Sequence, residues 1–398
     1  MSIYMRQSSE MPHHRARLIE PVLRKGLKAF PIIGLLGHRQ TGKTTLLNLL
    51  AKEYATLDRG SVREVAQTDP LGFLSKHAAP FAIDECQLCP DLFPVMKEWV
   101  RRKPIPGQFL LSGSVRFSAR KQIRESLTGR ILLLELFPFS LAETYARKVK
   151  DPLALGISKG VPFFTPKQWH HYLLAGGLPG LCFKHDTGLR SAAFESHLDT
   201  VLNRDLQLIY ETRLDFTALR QFIRSLARQA GMALDYAELA RQARISREST
   251  KKLVRAFEAL FLIRLIPDRA KPSRSVLLWE DVGLLHHVSE GQLPSAIFTL
   301  NAFYQNIRCS LKYPFGAIGT FYSYRTRGGA NVPLVFSRGA ENYGWIFVET
   351  HDADRASIAS AHSFLKAYKN SWVHIVGINL ENRQLSSGIV TRNLLGLL

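Results

Sequence analysis

The stretch Gly34–Leu50, GLLGHRQTGKTTLLNLL, constrains this chain more tightly than any other. An apolar run enters it, a turn spaced Gly-x-x-x-x-Gly-Lys-Thr follows, and apolar residues then recur at helical intervals. Glycines at both ends of such a turn let successive backbone N–H groups point inward. The helix behind the turn aims its positive end at the same point. The product is a cradle for phosphate, expected at Gly37, Arg39, Gln40, Thr41, Gly42, Lys43, Thr44 and Thr45. Lys43 is placed to reach the outer phosphates, and the Thr44 hydroxyl to ligate Mg²⁺.

Two further segments fit a nucleotide site. PFAIDECQ is an apolar run ending in Asp84-Glu85. An acid there can hold the metal, and its neighbour can polarise an attacking water; the plainer alternative is an exposed helix-capping pair. QFLLSGS ends in Ser112 and Ser114, where a hydroxyl can orient water or sense the outer phosphate; Ser-Gly-Ser is also a common turn. No Asn-Lys-x-Asp follows to read guanine, so ATP is the expected nucleotide, with Mg²⁺ beside it.

Taken in order, GHRQTGKTTLL, AIDECQ, LLSGS, ESLTGR and PFSLAE, then LLAGGLPG and VLNRDL, resemble the bacterial and archaeal AAA-type ATPases that carry a C-terminal domain of unknown function. The resemblance implies a P-loop core of the additional-strand class, then a helical lid, a winged helix, and a last domain like a restriction endonuclease. It makes Arg130 of SLTGR a candidate finger or cis sensor, with Arg116 and Arg124 as rivals and a plain surface arginine as the alternative. Gly176, Gly177 and Pro179 correspond to the lid turn.

The 398 residues leave room for several domains. A formal charge of +20 favours an anionic partner, nucleic acid before membrane. The four cysteines form one Cys-x-x-Cys, Cys86 and Cys89, with no second pair to complete a zinc site. Strand-like runs alternating with helical segments predict a parallel sheet covered by helices. The expected fold class is α/β: a basic N-terminal helix over 1–30, the ATPase core over 31–150, a helical lid over 151–212, a winged helix-turn-helix over 213–290 and an α/β endonuclease-like domain over 291–398.

Within LDYAELARQARISRESTKKLVRAFEALFLIRLI the apolar positions have helix-turn-helix spacing. The second helix, beginning at Ser246, displays Arg247, Lys251, Lys252 and Arg255. A wing would follow, with Arg269, Lys271 and Arg274 at its tip. Of these, Arg247, Lys251, Lys252, Arg255, Lys271 and Arg274 are the expected DNA contacts, to phosphate rather than to bases; an amphipathic bundle whose cations meet only water is the alternative. In the last domain, the positions where a nuclease of the resembled kind needs Asp and Glu-x-Lys are Asn331-Val332-Pro333 and Glu349-Thr350-His351, so cleavage chemistry is not expected. Arg325 and Arg327 keep that domain basic.

The sequence therefore predicts a cytoplasmic Mg-dependent ATPase. Lys43 and Thr44 would bind phosphate and metal, Asp84 would hold the metal, Glu85 would act as base, and Ser114 and Arg130 would assist. It would bind duplex or branched DNA, self-associate as a homo-oligomer, stay off membranes, and act as a remodelling motor of the branch-migration kind. The rival is a slow signalling switch that presents the winged helix to a protein.

Overall fold

The computed structural model describes residues 15–116, 129–155, 162–212 and 214–398. Five parallel strands form the first sheet: β1 (Ile32–Leu36), β2 (Glu53–Thr56), β3 (Phe81–Asp84), β4 (Phe109–Gly113) and β5 (Ile131–Glu135). Their order is β2-β3-β4-β1-β5, so β4 is inserted between β1 and β3. β1, β3 and β4 are buried along their whole length, as expected of parallel strands covered on both faces. In-register pairing sets Leu36 beside Gly113 and Glu135, and Thr56 beside Asp84. The C-terminal ends of the strands therefore open on one crest, where open parallel sheets hold ligands. The lead-in helix Glu20–Leu27 lays Ile19 and Leu23 against this sheet.

Capped helices follow. Thr165 and Gln168 form a capping box on Pro166–Ala175, and Asp186 caps Thr187–Thr200. A single π-helical turn, Val201–Asp205, continues the latter. Beyond helix Phe216–Arg228 come Tyr236–Ala243, capped by Asp235, and Arg247–Ala259, capped by Ser246. An antiparallel hairpin then joins β6 (Ile263–Pro267) to β7 (Ser275–Trp279). Helices Val282–Val288 and Ser295–Lys312 lead to a second sheet. It contains β8 (Thr320–Arg325), β9 (Asn331–Arg338), β10 (Glu341–Phe347), β11 (Ser371–Gly377), β12 (Arg383–Ser386) and β13 (Ile389–Asn393), in the order β12-β13-β11-β10-β9-β8.

The expected borders at 212/213 and 290/291 do not separate hydrophobic cores. One buried cluster runs from Trp169 and Tyr172 through Phe222, Phe257 and Trp279 to Phe303 and Trp345. The reason lies in helix Ser295–Lys312, which is buried along nearly its whole length and carries polar groups that satisfy its neighbours. Asn301 Oδ1 accepts from the Trp279 amide at 2.8 Å, and Asn306 Oδ1 from the Leu141 amide at 2.6 Å. Buried backbone donors at element ends must find such partners. The hairpin is also bound to the second sheet: Arg269 donates to Asn342 Oδ1 at 2.8 Å and lies over the Tyr322 and Tyr368 rings. Arg269 is thus a structural tie, whereas Lys271 and Arg274 stay exposed at the tip.

A buried ion cluster joins β5, the β6–β7 hairpin and helix Ser295–Lys312. Arg264 of β6 donates to Glu280 Oε1 at 2.7 Å and to Glu135 at the end of β5, and Arg308 pairs with the other Glu280 oxygen. Arg116 lies 3.6 Å from Glu135 and packs over Phe261. Breaking a buried pair from one side strands the remaining charge. Glu280→Ala, which leaves two guanidiniums without their shared partner, should cost about 3–5 kcal/mol of unfolding free energy. Urea denaturation checks this, and an unchanged midpoint would show that the cluster is dispensable.

Candidate nucleotide site

The turn after β1 has the backbone the motif demands. Gly42 is left-handed at φ 93°, and a Cβ on Gly37 would come within 2.2 Å of the Leu136 carbonyl oxygen. Helix Lys43–Leu50 begins at the turn. The Lys43 ammonium donates to the Gly37 and His38 carbonyls at 3.0 and 2.8 Å, which aims it across the mouth of the loop. Burial pushes its pKa down, and Glu85 and Asp84 oppose that fall.

Asp84, at the end of β3, is a hub. Its Oδ2 accepts from Thr44 Oγ1 at 2.6 Å and from the Tyr54 hydroxyl at 2.8 Å. Its Oδ1 accepts from the Glu85 amide at 3.2 Å and from Ser112. One carboxylate beside one hydroxyl, facing a phosphate cradle, is a donor set that suits Mg²⁺, which binds through one or two carboxylates plus substrate phosphates. Glu85 next to it takes a left-handed backbone at φ 54°, a strained choice for a residue with a side chain. Its Oε2 accepts from Ser114 Oγ at 3.1 Å and from the Gln87 amide.

These groups open on a cleft of about 980 Å³. Arg39, Gln40, Gly42, Lys43, Thr44 and Thr45 line it on one side, with Asp84 and Glu85 at its back. Pro179, Gly180, Phe183 and Lys184 bring the helical segment over it, and the Gly177 amide anchors that turn on Asp281 Oδ2 at 2.7 Å. Of the expected residues, Arg39, Gln40, Gly42, Lys43, Thr44, Thr45, Asp84 and Glu85 line this cleft, Ser112 and Ser114 bond the two acids, and Gly37 and Thr41 are buried within the turn.

Arg130 does not join them. It precedes β5, and parallel strands put their starts at the edge opposite the phosphate loop. Five residues of strand separate the two edges, about 16 Å, so within one chain Arg130 cannot act as a cis sensor. Arg116 is bound into the ion cluster and to the Glu258 carbonyl at 3.0 Å. Arg124 lies outside the described residues.

Residues that the motif leaves unspecified are each tied to a distant segment. His38 meets His197 at 3.0 Å between Nε2 atoms, and its Nδ1 faces the Leu260 carbonyl at 3.3 Å. Gln40 Oε1 pairs with His197 Nδ1 at 3.1 Å, Arg39 donates to Asp205 at 3.2 Å, and the Thr41 carbonyl accepts from Arg17 at 2.7 Å. Arg17 also pairs with buried Glu143 at 3.0 Å. Sequence reasoning missed Arg17, His38, Tyr54, Gln87, His197 and Asp205. VLNRDL stands out in the sequence only as a phrase, and it is the π turn that sets Asp205 against the loop; π turns recur at functional sites.

In the second sheet Asn331 accepts from Arg325 at 3.0 Å, and Glu349 and His351 are exposed beyond β10. Among the described residues no three His, Cys, Asp or Glu side chains form a metal-holding group, and the four cysteines are free and buried. Among those residues, too, no helix is long and apolar enough to cross a membrane.

The inserted-strand sheet and the loop define a P-loop nucleotide-binding core. Residues 29–145 match the family model described as an AAA domain. Residues 166–294 match a domain of unknown function, DUF8612. Uncharacterized proteins of Mycobacterium tuberculosis and Mycobacterium bovis are each 32% identical over 277 residues, 67% of this chain. The chain spans 58% of the length of those relatives. Similar solved structures include a Walker-type ATPase of Pyrococcus abyssi, at TM-score 0.40 and 14% identity, covering 68% of this chain and 94% of that one. Another is a RuvB variant of Thermotoga maritima, at TM-score 0.32 and 13% identity, covering 65% and 90%.

The histidine pair makes a pH dependence calculable. Burial pushes His38 down to about 3, and burial with the nearby His38 and Arg39 lowers His197 well below 6.5. Both are neutral in the fold and charge in the unfolded chain, so their contribution is present above pH 6.5 and is lost as pH falls through it. From pH 7 to 5 the loss should be about 2 kcal/mol for His38, and His197 should add to it in the same direction. Unfolding of the His38→Gln, His197→Gln double variant should show a flatter acid limb than wild type; parallel limbs would contradict this.

Proposed function

We propose that this chain is a Mg-dependent ATPase whose nucleotide cycle alters the grip of a basic winged helix on DNA. One observation carries the reading. The phosphate loop is hydrogen-bonded through His38 to Leu260, the residue that ends the basic helix Arg247–Ala259. Arg116, just past Ser114, adds a bond from its amide to the Ala259 carbonyl at 2.9 Å. A shift in the loop or in the strand β4 terminus is therefore delivered to that helix without an intermediary.

At the site, the loop amides and Lys43 bind and orient the triphosphate, and Thr44 and Asp84 hold Mg²⁺, which supplies charge neutralisation when bound. Glu85 accepts the proton of the attacking water, with Ser114 and Ser112 ordering the acidic pair. Arg130 can reach a nucleotide only on a neighbouring copy, which fits action as a homo-oligomer.

Arg247, Lys251, Lys252 and Arg255 are exposed on the helix, and Lys271 and Arg274 on the hairpin tip. Lys252 already pairs with Glu248 at 3.0 Å, so it contributes least. The support for DNA as partner is this basic face and the charge of +20. A remodelling motor on duplex or branched DNA is the most concrete form of the reading.

Duplex or branched DNA should raise the ATPase rate several-fold. Arg247, Lys251 and Arg255 changed together to Ala should lower the salt slope of DNA binding by about 2–3. A rate that no DNA structure alters, with no DNA retained at moderate salt, would overturn the DNA reading in favour of a protein-facing switch.

A further inference from the structure

The short helical turn after Glu85 holds a residue that the site chemistry above does not use. Gln87 is 1% exposed, far more deeply set than a surface glutamine. Its amide nitrogen donates to Glu85 Oε2 and lies 3.2 Å from Ser114 Oγ, while Ser114 donates to the same carboxylate oxygen at 3.1 Å. Its other polar atom, Oε1, is buried with no hydrogen-bond partner, among the described residues. A glutamine kept only for packing would not leave an acceptor in that condition, because an apolar side chain of the same shape would avoid the desolvation.

The backbone explains why the contact is possible. The left-handed φ of Glu85 turns the chain immediately, so the turn Cys86–Leu88 folds back beneath the acid and returns Gln87 to it. Asp84 is oriented by its own four donors. Glu85 takes its side-chain contacts from Gln87 and Ser114.

We infer that Gln87 is a positioning residue for hydrolysis: with Ser114 it fixes which oxygen of Glu85 is engaged and which remains free toward the cleft. The inference rests on Glu85 being the base. A carboxylate held by one oxygen presents the other in a set direction, and that direction decides whether an attacking water is aligned. The neutral amide does this without the positive charge that a cation in the same place would set against the carboxylate, weakening it as a base.

The test uses the full chain, with steady-state ATP hydrolysis and ATP affinity measured for wild type, Glu85→Gln, Gln87→Met and Gln87→Glu. Gln87→Met keeps the volume and loses the donor. It should lower kcat about 10–100-fold with ATP affinity and thermal midpoint near wild type. Gln87→Glu sets a like charge against Glu85, so the acid limb of the kcat profile should move to higher pH. That movement follows from proximity alone and reports only that Glu85 is the titrating base; loss of kcat in Gln87→Met at unchanged ATP affinity and thermal midpoint is what separates positioning from packing. Wild-type kcat in Gln87→Met beside an inert Glu85→Gln would overturn the positioning role alone. A Glu85→Gln variant with wild-type turnover would overturn the base assignment and the inference with it. ATP affinity falling in parallel with kcat in both Gln87 variants would also overturn it.

Discussion

The structure depends on how its phosphate loop is held. A loop that must expose inward-facing amides cannot bond them to itself, so its shape has to be fixed from outside. Here four consecutive residues, His38, Arg39, Gln40 and Thr41, take partners from three other parts of the chain. The lead-in segment supplies Arg17, the helical segment supplies His197 and Asp205, and the basic helix supplies the Leu260 carbonyl. Without these ties the loop would be an ordinary glycine turn. With them, the loop is tied to three remote parts of the chain at once.

The inserted strand organises the chemistry. Because β4 lies between β1 and β3, its terminal serines stand between the loop and the acidic pair. Ser112 bonds Asp84 and Ser114 bonds Glu85, so each acid has its own hydroxyl. The same strand then runs directly into Arg116 and the junction with the basic helix. The buried cluster of Glu135, Glu280, Arg264 and Arg308 keeps that junction stiff, as paired charges in low dielectric resist separation. Stiffness there is what lets a small movement pass on rather than dissipate.

Much of this was legible in the chain. The loop, Asp84-Glu85 and the two serines show as motif and strand end because their chemistry needs fixed spacing. The helix starting at Ser246 shows through its cap, where the Ser246 hydroxyl accepts from the Ser249 amide at 3.0 Å. The ties were not legible, since His38–His197 and Arg39–Asp205 join residues more than 150 positions apart and neither half has a local signature. Asp205 depends on a π turn that periodicity does not reveal. Arg130 reads as catalytic by its place in a phrase, and only strand direction shows which edge it occupies. Arg269 reads as a wing-tip cation until Asn342, Tyr322 and Tyr368 are seen around it.

The central claim is that the phosphate loop and the basic helix form one mechanical unit. Amide hydrogen exchange of the Glu85→Gln protein, with and without Mg-ATP, tests it most directly. The account expects altered exchange in the loop around residues 37–45 together with residues 197–205 and 256–262. Changes confined to the loop, with the helix end unmoved, would contradict it.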